Sequence, residues 1–137
     1  MWKVIAVATV LFSNVASAAA RPETGWLIDQ AGTKPLVAQV WSIPSAKGIV
    51  IWRVLSATGA KLSEMPEPTL TNGYVYSYGE CILAGKLVPG VIAEIKVDPR
   101  SLEALEVRRA WSLDPASNLF KETDPHSLVC YNADYGF

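Results

Sequence analysis

Histidine is almost missing from this chain: His126 is the only one among 137 residues, and cysteine occurs just twice, as Cys81 and Cys130. Zinc centres and nucleophile–histidine sites are built from these residue types. A zinc site would need one imidazole, two thiols better used in a bridge, and scattered carboxylates. A serine–histidine–acid site would have to use His126. Its neighbours Asp124, Pro125 and Ser127 compose a turn, whereas triad members converge from separate loops. Glu80 and Glu94 fall on strands, and Asp98 and Asp114 precede prolines, so no two carboxylates are marked as an acid–base pair. No catalytic or nucleotide-binding motif stands out, and neither a metal nor another cofactor is expected.

Clustered positive charge is also absent. Lys3 is the only charge in the first 20 residues, which leaves 11 basic against 13 acidic side chains beyond it. Nucleic-acid and anionic-membrane binding by electrostatics need concentrated lysine and arginine. The densest basic point, Arg108-Arg109, follows Glu103 and Glu106 and reads as a solvated strand end. No nucleic-acid partner is expected.

Long apolar runs are missing too, with one short exception at the start. Val4 to Val15 carries no charge, is preceded by Lys3, and leads into Ala16-Ser17-Ala18-Ala19-Ala20. A membrane span needs roughly 20 apolar residues. A short positive region, an apolar stretch and an A-x-A site together make a secretory signal. Residues 1–20 are therefore expected to be a cleavable signal peptide, and 21–137 a single β-rich domain without an integral membrane span. The expected location is periplasmic or secreted. In such a compartment an even cysteine count favours a bridge. Joining Cys81 to Cys130 closes a 50-residue loop, worth about 4 kcal/mol in the chain-entropy model.

Short apolar runs punctuated by turn residues make up the rest of the chain. Gly25–Ile28 and Leu36–Ile43 read as strands, and Gly48–Leu55 is apolar enough to suggest burial on both faces. Glu64-Met65-Pro66-Glu67-Pro68 reads as an extended loop, because prolines cannot serve a ladder. Asn72-Gly73 turns the chain into a strand from Tyr74 to Leu83. Val91–Val97 alternates, with Val91, Ala93, Ile95 and Val97 on one face and Glu94 and Lys96 on the other, as in a half-buried strand. Asp98 to Leu105 is the one helix candidate, with Asp98 as N-cap and Pro99 at the first position. Val107, Arg109, Trp111 and Leu113 share a face by alternation. Leu119–Glu122 returns as a hairpin arm, and Leu128–Tyr131 is the last strand. The sum is a mainly β domain, or α+β with one short helix: a small antiparallel sandwich or curled barrel stapled by one disulfide. The bridge requires the last strand to lie beside or across from the Tyr74–Leu83 strand.

Tyr74, Tyr76 and Tyr78 recur at period two and so share one strand face, with Ser77 and Cys81 on the other. If the bridge points inward, the rings face outward as a candidate partner-binding stripe. If the rings form the core face, the bridge lies outside. The closing alternation from Val129 to Phe137 resembles the terminal signal of outer-membrane barrels, but those need at least eight unbroken strands. The expected function is that of an exported, non-catalytic, inhibitor- or immunity-like protein that binds an envelope or extracellular protein. The alternative is a small secreted enzyme or carbohydrate-binding module that uses Trp26, Trp41, Trp52 or Trp111 as stacking platforms. The oligomeric state is left open.

Overall fold

A computed structural model describes residues 21–30, 32–46 and 48–135. The signal-peptide expectation for residues 1–20 lies outside them. Eleven strands follow one another: β1 (Pro22–Ile28), β2 (Leu36–Ser42), β3 (Val50–Ser56), β4 (Lys61–Pro66), β5 (Val75–Tyr78), β6 (Cys81–Leu83), β7 (Lys86–Leu87), β8 (Val91–Lys96), β9 (Glu106–Leu113), β10 (Phe120–Thr123) and β11 (Leu128–Cys130). They form three antiparallel sheets, ordered β1-β2-β3-β4, β10-β9-β8-β5 and β11-β6-β7. The sandwich expectation holds.

The sheet that contains β8 is the middle layer. Against its upper face, Ala38 and Val40 of β2 and Trp52 and Val54 of β3 pack on Ile92, Trp111 and Phe120. Against its lower face, Val91, Ala93, Ile95 and Ala110 pack on Cys81 and Cys130. Val91 to Ile95 are therefore all buried, on both sides of one strand. This corrects the half-buried reading of that strand. It also corrects the reading of β3, in which only Trp52 and Val54 are buried while Ile51, Arg53 and Leu55 are half-buried. An outer sheet has a core on one face only, and burial on both faces belongs to the layer between two others.

Four further expectations need correction. Glu64–Pro66 belongs to a strand, because β4 lies at a sheet edge and pairs on one side only, where proline is tolerated. Residues 98–105 form no helix. The Asp98 carboxylate accepts the Arg100 amide at 2.9 Å, and the Ser101 amide bonds the Asp98 carbonyl, which closes a turn. The following amides go elsewhere, Ala104 to the Cys130 carbonyl and Leu105 to the Lys96 carbonyl. Tertiary hydrogen bonds thus take the donors that a two-turn helix would have used. In β9 the register slips opposite Glu94/Ile95, so Glu94 faces Arg109 and Ile95 faces Val107. Arg108 is the extra residue of this bulge. Val107 therefore joins the lower core, while Trp111 and Leu113 join the upper one.

Finally, Tyr74–Leu83 is two strands rather than one. Gly79 sits between them at φ 71°, a left-handed conformation that favours glycine. There the chain leaves the middle sheet as β5 and enters the lower sheet as β6. A Cβ at this position would lie 2.5 Å from the Trp26 indole. Once in the lower sheet, Cys81 stands directly opposite Cys130 in the register. The Cys81 carbonyl accepts the Val88 amide and the Cys130 carbonyl accepts the Ala104 amide, so both point away from each other. Such a non-hydrogen-bonded pair is the closer kind, and the Cα atoms are 4.1 Å apart. The bridge and its two partner strands are as expected.

Gly79→Ala imposes both the unfavourable φ and the clash with Trp26. It should cost on the order of 2–4 kcal/mol, read as a lowered urea midpoint with intact secondary structure before the transition. An unchanged midpoint would show that the strand break tolerates a side chain.

Candidate functional site

Tyr76 and Tyr78 turn inward, and so does the disulfide. Tyr76 and Tyr78 are half-buried and pack against the upper core, while Cys81 is buried in the lower one. The two arrangements set out from the sequence assumed a sheet with one wet face. Around β8 and the Ser77–Tyr78 end of β5 the middle layer has none, so both sides of the chain are covered there. Tyr76 meets Trp52 edge-on at 5.5 Å and Trp111 at 5.8 Å, and Tyr78 lies 5.5 Å from Trp26. Trp52, only 1 % exposed, also meets Trp111 and Phe120 edge-on. Tyr74 is separated from this cluster. Its hydroxyl donates to the Glu106 carboxylate, and that hydrogen bond raises its pKa.

Each polar tip in the cluster has a partner, as buried hydroxyls and indole N–H groups require. Glu67 accepts Trp52 Nε1 and the Tyr78 hydroxyl through the same oxygen, at 2.7 Å each. The Tyr76 hydroxyl donates to the Pro68 carbonyl. Burial raises the pKa of both phenols, and Glu67 adds to the effect. They stay neutral at all physiological pH values. The segment after β4 is thus pinned over the aromatic rings.

Glu94 completes the pinning from the sheet itself. Its side chain is fully buried, yet it carries a full set of partners: Arg109 Nε at 3.0 Å, Arg109 Nη2 at 2.8 Å and the Thr71 amide at 2.8 Å. Arg109 Nη2 also donates to the Thr69 carbonyl at 2.7 Å and its guanidinium lies 4.9 Å from the Trp111 ring. The hydrogen bond from Arg109 lowers the Glu94 pKa to about 2 against the opposing effect of burial, and the Thr71 amide lowers it further. Arg108, on the bulge, adds a longer contact at 3.7 Å. Arg109, read from sequence as a solvated strand end, is instead half of a structural ion pair.

The remaining candidates are placed as follows. Of the four tryptophans considered as platforms, Trp52 and Trp111 are buried and present no open ring face. Trp26 donates Nε1 to the Pro89 carbonyl at 2.7 Å. Trp41 is half-buried beneath the Arg53 guanidinium, 4.5 Å from the ring centre. His126 is exposed in a turn where the Asp124 carboxylate accepts its amide at 2.9 Å, and Ser127 takes φ 68°. Glu80 is exposed beyond β5, while Glu94 is buried in β8, so the two make no pair. Among the described residues, no three metal-ligating side chains are grouped to hold an ion.

A groove of about 370 Å³ remains, and the sequence did not point to it. It runs along the outer edge of β5. Glu23 and Thr24 of β1 border it on the upper side, and Tyr131 to Asp134, just after β11, border it on the lower side. Glu80 lies at its end. Gly79, standing between two runs read as one strand, was the available signal for an edge here. No family model, curated protein or solved structure matches this chain. Its bridge fits an oxidising compartment, and no described helix is long and apolar enough to cross a membrane.

Glu94 predicts a pH dependence. Its folded pKa, about 2, lies below the ordinary 4.5, so its contribution is present above pH 4.5 and is lost as pH falls through 2. The difference is worth on the order of 3 kcal/mol. Urea titrations from pH 6 to pH 2 should show this loss, and Glu94→Gln should be less stable at pH 6 with a flatter slope below pH 4.5. Parallel pH profiles for the two proteins would contradict the assignment.

Proposed function

We propose that this protein is exported through its N-terminal signal and works outside the cytosol by binding another protein, as an inhibitor- or immunity-like component, rather than by turning over a substrate. Three features support the reading. The Lys3–Ala20 pattern is that of a secretory signal. The Cys81–Cys130 bridge suits an oxidising compartment. The polar side chains that approach the aromatic core, Glu67, Glu94 and Arg109, are engaged by partners within the fold.

The observation that carries the reading is the groove along β5. It leaves one sheet edge open beside a domain whose rings and buried charges are otherwise satisfied. Open edges are templates for another chain, and a bridged scaffold holds such an edge rigid.

Affinity capture tests the proposal. The mature, oxidised domain is immobilised and exposed to extracts of the envelope that surrounds its compartment. A specific protein should be retained in near-stoichiometric amount and released by excess free domain. Retention of glycans alone, or release of a converted small molecule, would contradict it.

A further inference from the structure

Backbone geometry defines what the β5 edge presents. The Gly79 amide bonds the Val91 carbonyl at 3.0 Å, and the register runs Ser77 opposite Ala93 and Val75 opposite Ile95. These are the pairs that exchange hydrogen bonds with β8. Tyr76 opposite Glu94 and Tyr78 opposite Ile92 are the alternate pairs, whose N–H and C=O groups point away from the partner strand. No described residue pairs with them. Their rings are fixed in the core, so the outward backbone is rigidly aimed into the groove.

Edges elsewhere in the fold are short, charged or covered. β11 lacks charge and proline but has three residues, and its open side is met by the Ala104 amide on the Cys130 carbonyl and by the Glu103–Tyr131 bridge just beyond it. β4 carries Lys61, Glu64 and Pro66, β10 carries Lys121 and Glu122, β1 begins with Pro22-Glu23, and β7 has two residues, one of them Lys86. β5 has neither charge nor proline, and its Val75 is 45 % exposed. The bordering charge is of one sign. Glu23 on the upper side, Asp134 on the lower side and Glu80 at the end form no ion pair with any described residue. Among the described residues, no lysine or arginine lines the groove.

We propose that β5 receives an extended, lysine- or arginine-bearing peptide segment of a partner protein as an added strand. Main-chain bonds go to Tyr76 and Tyr78, and basic side chains reach Glu23, Asp134 and Glu80. Successive side chains of an added strand point to opposite faces. Here one face leads to Glu23 and the other to Asp134, so basic residues at neighbouring positions both find carboxylates. This inference rests on the protein-binding reading above and specifies its partner.

The probe is a capped hexapeptide with lysines at neighbouring positions, Val-Lys-Lys-Val-Lys-Lys, which presents lysine on both faces, titrated into the oxidised domain with amide shifts followed by NMR. Shifts should concentrate at residues 75–80. Methylating every peptide nitrogen keeps the charge and removes the donors, and should weaken binding about ten-fold or more. A glutamate–valine peptide should not bind. Glu80→Lys and Asp134→Lys, both on exposed side chains, should each weaken the lysine peptide roughly two- to five-fold. Equal binding of the methylated peptide, or shifts confined to other strands, would overturn the inference. Either result alongside a successful capture would leave the protein-binding reading standing with its site elsewhere.

Discussion

The middle sheet is covered on both faces along β8, and most other features follow from that constraint. A strand with two dry faces cannot carry an unpaired charge, yet β8 carries Glu94 at its centre. The Arg109 fork and the Thr71 amide resolve the conflict, and in doing so draw residues 69–71 down onto the sheet. The β9 bulge at Arg108 is part of the same solution, since it sets Arg109 directly opposite Glu94. The two faces are filled differently. The upper one takes aromatic rings, whereas the lower one pairs Ala93 with Ala110 across the strands and leaves room for the cystine.

Much of this was legible in the sequence, for local reasons. Turn chemistry at Asn72-Gly73 and alternation in β9 marked strands and their ends. Two cysteines in a chain expected to be exported implied the bridge, and with it the pairing of β6 and β11 across 49 positions. What alternation cannot report is the layer in which a strand lies. Val91–Lys96 shows an alternating pattern because Glu94 interrupts it, and only a partner from β9 makes that glutamate a core residue. The Asp98-Pro99 start carries valid helix-capping signals, but the Cys130 and Lys96 carbonyls claim the amides of residues 104 and 105. Tertiary hydrogen bonds outweighed a two-turn propensity.

The tyrosine stripe shows why side-chain pattern and function can separate. Its period-two spacing places Tyr76 and Tyr78 on one face, as expected, but that face is the aromatic core. What β5 offers outward is its backbone, which carries no sequence signature beyond a lack of charge and proline. Rigid rings behind the strand and Gly79 at its end hold that backbone in place. The site is therefore one of main-chain donors and acceptors with a carboxylate rim, and the side chains that mark the strand serve mainly to position it.

The central claim is that β5 belongs to the covered sheet on one side and is open on the other. Residue-resolved hydrogen exchange on the free, oxidised domain tests it most directly. The amides of Ser77 and Gly79, bonded to β8, should exchange slowly, while those of Tyr76 and Tyr78 between them should exchange orders of magnitude faster. Uniformly slow exchange from Tyr76 to Gly79 would mean that the edge is already paired, and would contradict the account.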